Sequence, residues 1–288
     1  MTIRDILTSI RERLQKAGIE DFEYESWVLL EWKLHIDRAE FYMNPNGEVK
    51  QELLEELEEV LLKREQRVPL QYLMGECEFM GFDFSVDERV LIPRQDTECL
   101  VEEVMRFSQD GNRILDMCTG SGCILLSLLH YSNACKGVGA DVSPEALRVA
   151  HSNACRIEKL ERPVPWEKDT VRFVESDLFS RIPDEKFDLI VSNPPYIASS
   201  VIPTLMEEVK NHEPLLALDG KEDGLFFYGR IIEESRAFLA KEGRLFFEIG
   251  FDQGEAVSNL MKKAGFDEVT VVKDLAGLDR VVHGIWMG

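Results

Sequence analysis

The sequence is short of basic residues, of long apolar runs and of paired cysteines. Lysine and arginine number 33 against 54 acidic residues, a formal net charge of −21 over 288 residues. A protein that grips a phosphate backbone usually carries a basic stripe, so a nucleic-acid substrate is disfavoured. Acidic balance by itself reports solubility and names no partner. No apolar run reaches the ~18 residues that a membrane span needs. The opening MTIRDILTSIRERL alternates charge with apolar residues, unlike the unbroken apolar stretch of a secretory signal. A soluble, cytoplasmic protein is expected. The six cysteines, at 77, 99, 118, 123, 135 and 155, include no Cys-x-x-Cys pair, and no histidine stands at zinc-finger spacing. They read as reduced thiols serving as small apolar residues, and no metal site is expected. Internal repeats and low-complexity segments are also lacking.

What is present is a chain with 44% hydrophobic residues, enough for a full core and a smaller second unit. Residues 2–17 repeat apolar side chains at helical spacing, through Ile3, Ile6, Leu7, Ile10 and Leu14, with Thr2 and Asp5 as a capping box. Helices are also predicted over 22–35, 38–43 and 48–67, the last with glutamates crowding its outer face. That face reads as solvated surface. These helices make an all-helical domain over 1–75. Residues 76–92 alternate apolar and polar with Gly81 at a turn, a β-hairpin joining two domains (linker 76–93). From 94 to 288, strands alternate with helices. Strands are expected over 113–117, 136–141, 171–175, 187–192, 243–249, 268–273 and 280–286. This pattern predicts an α/β, Rossmann-like, doubly wound and mostly parallel sheet of seven strands. The short link 274–279 makes the last two strands an antiparallel pair at one edge.

Two motifs carry chemistry. The first follows the strand ending at Asp116. Cys118-Thr119-Gly120-Ser121-Gly122 is a small-residue loop opening onto a helix, and glycine lets backbone approach a ligand. Ligands in open α/β sheets sit at the carboxyl ends of strands. A dinucleotide site wants a third glycine, and Leu125 stands there instead. Asp116 would repel phosphates and suit a cationic, amine-bearing ligand. The loop therefore favours S-adenosylmethionine over a dinucleotide, with a plain tight turn as the remaining alternative. Asp141, at the tip of the next strand, is placed for ribose hydroxyls, and Asp141 with Ser143 also precedes a helix start at Pro144. Asp177 is placed to meet an adenine amine, with Leu178 beside the ring.

The second motif is Ser192-Asn193-Pro194-Pro195-Tyr196. The two prolines fix φ and lie outside any ladder bond. The side-chain oxygen of Asn193 and the carbonyl of Pro194 can together accept both hydrogens of a planar NH2 group. Tyr196 would wall a flat substrate group. Such a clamp lets a poorly nucleophilic nitrogen pyramidalise toward a methyl donor and stabilises the charge that develops. No catalytic histidine is required; His212, the nearest in sequence, is expected to be structural or at most to touch substrate.

With these residues in hand, the chain resembles the PrmC/HemK family of protein-(glutamine-N5) methyltransferases. Pro69 to Gly75 is similar to the family's P-x-x-Y-x-x-G run, and Ile92 to Glu98 to its I-P-R-P-x-T-E segment. Glu213 to Leu225 resembles E-P-x-x-A-L-x-x-G-x-D-G, and 248–254 and 274–280 match near the C-terminus. The resemblance implies an S-adenosylmethionine-dependent enzyme, with S-adenosylhomocysteine as product. It would methylate the glutamine of the Gly-Gly-Gln motif in class I peptide chain release factors, a step in translation termination. It implies that the helical domain helps hold that protein, and that 118–122, with Asp116, and Asp141 hold the donor. Asn193, Pro194, Pro195 and Tyr196 would clamp the amide, and Arg94 and Thr97 would add contacts over the donor. A monomer is expected, with no nucleic-acid or membrane partner. A ribosomal-protein glutamine methyltransferase shares the clamp, and a DNA adenine methyltransferase shares the Asn-Pro-Pro-Tyr motif alone. Two departures stand out. Cys118 replaces a glycine, tolerable if φ is negative there, and Gln95 replaces the second proline of I-P-R-P.

Overall fold

The computed structural model describes residues 1–160, 166–167 and 169–288. They form two compact units. One is Met1–Gly75 with Met206–His212; the other is Glu76–Leu205 with Glu213–Gly288. No helix among the described residues is long and apolar enough to cross a membrane.

The first unit is built from α1 (Ile3–Lys16), α2 (Phe22–Leu34), α3 (Arg38–Met43), α4 (Gln51–Glu65) and the short α5 (Leu70–Met74). Thr2 and Asp5 form the expected capping box, the Thr2 hydroxyl accepting from the Asp5 amide at 3.2 Å and the Asp5 carboxylate from the Thr2 amide at 3.0 Å. The i, i+3, i+4 stripe of α1 is buried against Leu29, Leu30, Leu57 and Leu61. Each such aliphatic side chain contributes about 1.5–3 kcal/mol by leaving water. The unit recruits Met206–His212 from far along the chain, a segment that the sequence reading leaves within 94–288. Buried Arg64 holds both Glu25 (2.7 Å) and Glu208 (3.0 Å), and Arg67 reaches Glu208 at 2.6 Å. His212 lies here too, its Nε2 3.1 Å from the Gln66 carbonyl.

The second unit begins with the hairpin β1 (Glu76–Phe79) and β2 (Phe82–Ser85). Its two-residue turn, Met80-Gly81, has φ of 52° and 76°, the primed-turn geometry that matches strand twist. The hairpin strands are shorter than the predicted 76–92; beyond them Val86, Val90 and Ile92 are buried, with Val90 in a turn whose amide donates to the Asp87 carbonyl at 3.1 Å. Then follow α6 (Gln95–Phe107), β3 (Arg113–Met117), α7 (Cys123–Tyr131), β4 (Lys136–Asp141), α8 (Pro144–Ile157), β5 (Val171–Glu175) and β6 (Phe187–Ser192). After α9 (Glu207–His212), which belongs to the first unit, come α10 (Leu215–Leu218), α11 (Phe226–Ser235), β7 (Leu239–Glu248), α12 (Gly254–Lys263), β8 (Asp267–Lys273) and β9 (Asp279–Trp286).

The seven strands make one mixed sheet in the order β5-β4-β3-β6-β7-β9-β8. Strands β3 to β7 run parallel, and β9 is antiparallel to both of its neighbours. The expected antiparallel pair is present, but β9 is inserted inside the edge, between β7 and β8. Strand β7 also starts before the predicted 243, because Leu239 pairs with Phe187 and the register then shifts between Phe187 and Leu189. The polar Ala-Lys-Glu at 240–242 hides that start in the sequence. After β5 the chain returns to the far side of β3 to form β6. This reversal is the switch point, where the carboxyl ends of β3, β4 and β6 open a crevice.

Candidate functional site

At the end of β3 the chain turns sharply through Cys118 (φ 65°), Gly120 (φ 55°) and Gly122 (φ 81°) before α7 begins. Gly122 needs the left-handed conformation, and a side chain there would press on Leu126 (3.1 Å) and Ala150 (3.3 Å). The condition under which Cys118 would be tolerated easily, a negative φ, is not met: an L-residue occupies the left-handed region, at a cost of about 1–2 kcal/mol. Burial pushes its thiol far up, so it stays protonated.

The loop is braced from β4. The Thr119 amide donates to the Ala140 carbonyl at 3.0 Å, and the Gly120 amide to Asp141 Oδ2 at 2.9 Å. Asp141 Oδ1 accepts from the Ser143 amide at 2.9 Å, while Ser143 Oγ caps α8 by accepting from the Ala146 amide at 3.1 Å. Each carboxylate oxygen of Asp141 keeps a further lone pair, enough for two hydroxyl donors. Burial raises the pKa of this group, opposed by its backbone donors. The other side of the crevice is tied to β3 by Ser192, whose Oγ donates to the Met117 carbonyl at 2.6 Å.

These strand ends surround a cavity of about 450 Å³, the size of a pocket for a nucleoside-bearing ligand. Cys118, Thr119, Gly120, Ser121, Asp141, Asp177, Leu178 and Asn193 line it together, as do Pro195, Arg94 and Thr97. Asn193 is half-buried, and its side chain has no hydrogen-bond partner among the described residues.

Four expected residues lie off the wall. Gly122 packs toward α8 instead. Asp116 is fully buried and turned under the loop, accepting from the Thr119 hydroxyl at 2.6 Å. Burial pushes its carboxyl up to about 7, against the lowering effect of that bond. It holds the loop rather than offering a free charge to a cation. Pro194 is buried and does not line the cavity with its ring. Tyr196 does not wall the cavity: its ring packs on the core below the sheet end, and its hydroxyl donates to Glu248 Oε1 at 3.3 Å.

Other lining residues escaped the sequence reading. Phe226, Phe227 and Arg230 of α11 close one wall, and Pro214, Leu216 and Ala217 another. Pro214, Leu216 and Ala217 fall within the Glu213–Leu225 segment matched by resemblance, and its Asp223-Gly224-Leu225 end lies just before α11, but neither marked a cavity wall. Arg230 Nη1 holds Asp177 Oδ1 at 2.9 Å, so the carboxylate placed for an adenine amine already has a cationic partner. Arg94 likewise pairs with buried Glu213, whose carboxyl is raised by burial despite the arginine. Arg89 also reaches the cavity while pairing with Asp87. Arginines on this wall fall in a part of the sequence with no basic run to mark them.

Residues 5–75 match the family model described as PrmC N-terminal domain, and residues 95–221 the one described as methyltransferase small domain. A release factor glutamine methyltransferase of Clostridium acetobutylicum is 38% identical over 289 residues, covering 99% of each chain. One of Thermodesulfovibrio yellowstonii is 39% identical over 280 residues, covering 96% of each. Among solved structures, a methyltransferase from Pyrococcus furiosus matches with a TM-score of 0.53 at 16% identity, covering 77% of this chain and 98% of that one, which speaks for the fold alone.

Proposed function

This chain belongs to the release factor glutamine methyltransferase family, and from that membership we propose that it methylates the side-chain amide nitrogen of the glutamine in the Gly-Gly-Gln motif of class I release factors, with S-adenosylmethionine as donor. The unit of Glu76–Leu205 with Glu213–Gly288 carries the chemistry, and the helical unit of Met1–Gly75 with Met206–His212 helps hold the protein substrate. One observation carries the reading. An unpaired Asn193 at the tip of β6 faces the same cavity as the glycine loop of β3.

The lining fits such a donor. Asp141 has lone pairs to spare for ribose hydroxyls, Leu178 and Phe227 offer apolar walls to the adenine, and no third glycine prepares a pyrophosphate seat. Thr97 and Arg94 lie toward the methionine end. When bound, S-adenosylmethionine supplies a methyl group activated by its sulfonium, the sulfur keeping the bond pair as the amide nitrogen takes the carbon. Asn193 Oδ1 and the Pro194 carbonyl accept the two N–H bonds of the glutamine amide. This draws the nitrogen lone pair out of conjugation and steadies the positive charge on it. The prolines keep both acceptors fixed, so little reorganisation is needed at the moment of reaction. One proton then leaves to solvent, and no side chain has to act as a strong base.

The decisive assay follows labelled methyl incorporation into a purified class I release factor, with ribosomal protein and duplex DNA alongside. The release factor is expected to be labelled and the others not. Asn193→Ala should lower kcat by about 10²–10³-fold, as for loss of one acceptor aimed at developing charge. Donor affinity by calorimetry should stay within about twofold, because only a clamp atom is lost. Wild-type turnover in that variant, or labelling of DNA instead, overturns the reading.

A further inference from the structure

The turn that carries the clamp cannot hold itself in place. Pro194 and Pro195 have no amide hydrogen, so the strand ladder of β6 stops at Ser192. The next backbone anchors come from a distant segment: the Ile197 amide donates to the Leu218 carbonyl at 3.0 Å, and the Gly220 amide to the Ile197 carbonyl at 2.8 Å. Between them stands the carbonyl of Tyr196, which receives a hydrogen bond from Gln253 Nε2 at 3.0 Å. Gln253 also faces the Gly224 carbonyl at 3.5 Å.

The orientation of the Gln253 amide is fixed from behind. Its Oε1 accepts from the Gly250 amide at 3.0 Å, and the Tyr228 hydroxyl oxygen lies 3.4 Å from it. Tyr228 is fully buried, and its hydroxyl donates to the Glu248 carbonyl at 2.8 Å. A flipped amide would set its oxygen against two carbonyls and its NH2 against the Gly250 amide. Space is tight as well. A Cβ on Gly224 would come within 2.3 Å of the Tyr196 oxygen and 2.7 Å of Gln253 Nε2. Tyr196 is thus gripped at both ends by the end of β7 and the turn after it, its hydroxyl by Glu248 and its carbonyl by Gln253. Gln253 does not line the cavity.

We propose that Gln253 is a positioning residue of the methyl-transfer site, fixing the Tyr196 carbonyl and thereby the angle at which Asn193 and Pro194 present their oxygens. The proposal rests on the clamp reading given above. Clamp oxygens displaced by a fraction of an ångström no longer meet both N–H bonds, a loss felt in kcat rather than in donor binding.

Gln253→Glu replaces the donor by a group that can donate to a carbonyl only when protonated. Gln253→Met keeps the length and removes both donors. For Gln253→Met, kcat is expected to fall about 10–100-fold, with donor affinity by calorimetry within about twofold of wild type. For Gln253→Glu, the wild-type-to-variant ratio of kcat should grow about tenfold or more from pH 6 to pH 9, as the carboxyl ionises against two carbonyls. A purely structural role would instead lower kcat in step with the folded, donor-binding fraction and leave that ratio flat. Either that result, or wild-type kcat in Gln253→Met, overturns the proposal. Should the glutamate variant fail to fold, the methionine variant decides alone. Asn193→Ala run in parallel separates the two ideas. If it is inactive while the Gln253 variants are not impaired, the positioning role falls and the clamp stands; if it is fully active, the clamp itself falls.

Discussion

At the residue scale, Cys118 shows a ligand loop overriding local preference. Its φ of 65° is a glycine conformation, and its thiol packs against the core cluster beneath the sheet ends. The strain of about 1–2 kcal/mol is offset by that packing and by the loop's bonds to Ala140 and Asp141. Cys118→Gly should therefore match or exceed the wild-type melting temperature, gaining at most about 1 kcal/mol after the extra freedom of glycine in the unfolded chain is subtracted. Cys118→Val should lose at least about 1 kcal/mol, because a branched side chain at positive φ is worse still. Thermal melts of the three proteins rank them, and a valine variant as stable as wild type would contradict the strain. Asn193 and Asp141 were legible because each ends a buried strand on a polar residue. The inward turn of Asp116 and Tyr196 was not legible. Which way a side chain at a strand end points depends on its partners: Asp116 meets Thr119 three residues on, in a loop whose turn is set by bonds to β4, and Tyr196 meets Glu248 52 residues on, at the end of β7.

At the element scale, most helices and strands were readable within a residue or two, since buried parallel strands read as short apolar runs and α1 as a clean helical stripe. The exceptions have physical causes. The start of β7 is polar at 240–242, and pairing with Phe187 rather than hydrophobicity places it in the sheet. The interior place of β9 follows from pairing too. It puts His283 4% exposed between Phe107 and Phe246, ring centroids 5.1 Å from each, with its Nε2 3.3 Å from Glu103 of α6. Burial, aided by Arg244, lowers its pKa to about 4. The unfolded chain takes up this proton near 6.5 and the folded one only near 4. This residue's contribution is therefore fully present above pH 6.5 and is lost as pH falls through the window toward 4. Urea unfolding from pH 7.5 to 4.5 should show a steeper acid loss in wild type than in His283→Gln, which has no proton to gain. Parallel curves for the two would remove His283 from the account.

At the scale of the whole molecule, the helical unit is discontinuous in sequence. It closes only when Met206–His212 joins Met1–Gly75. Glu208 supplies the charge that Arg64 and Arg67 share, at 3.0 and 2.6 Å. Arg64 is 3% exposed, so losing this carboxylate leaves buried positive charge short of a partner. Glu208→Ala should destabilise the protein by about 2 kcal/mol, in the range of a hydrogen bond to a charged group, since Arg64 retains Glu25. Glu208→Gln, which keeps one acceptor, should lose less. Chemical denaturation of the full chain reads both, and an alanine variant within about 0.5 kcal/mol of wild type would deny the segment its role.

The sequence alone determined the alternation of strands and helices, the helical N-terminal stretch and the two polar motifs at strand ends, because periodicity and turn chemistry are local. It also carried the family resemblance, spread over nearly the entire chain. Only the tertiary structure decided that β9 lies inside the sheet and that Arg230 holds Asp177. It alone showed that Glu208 closes a unit more than 130 residues from its arginines, and that Gln253 grips the turn after the prolines. Each of these depends on hydrogen bonds and charges meeting across long stretches of chain, and no spacing within a single segment encodes such a meeting.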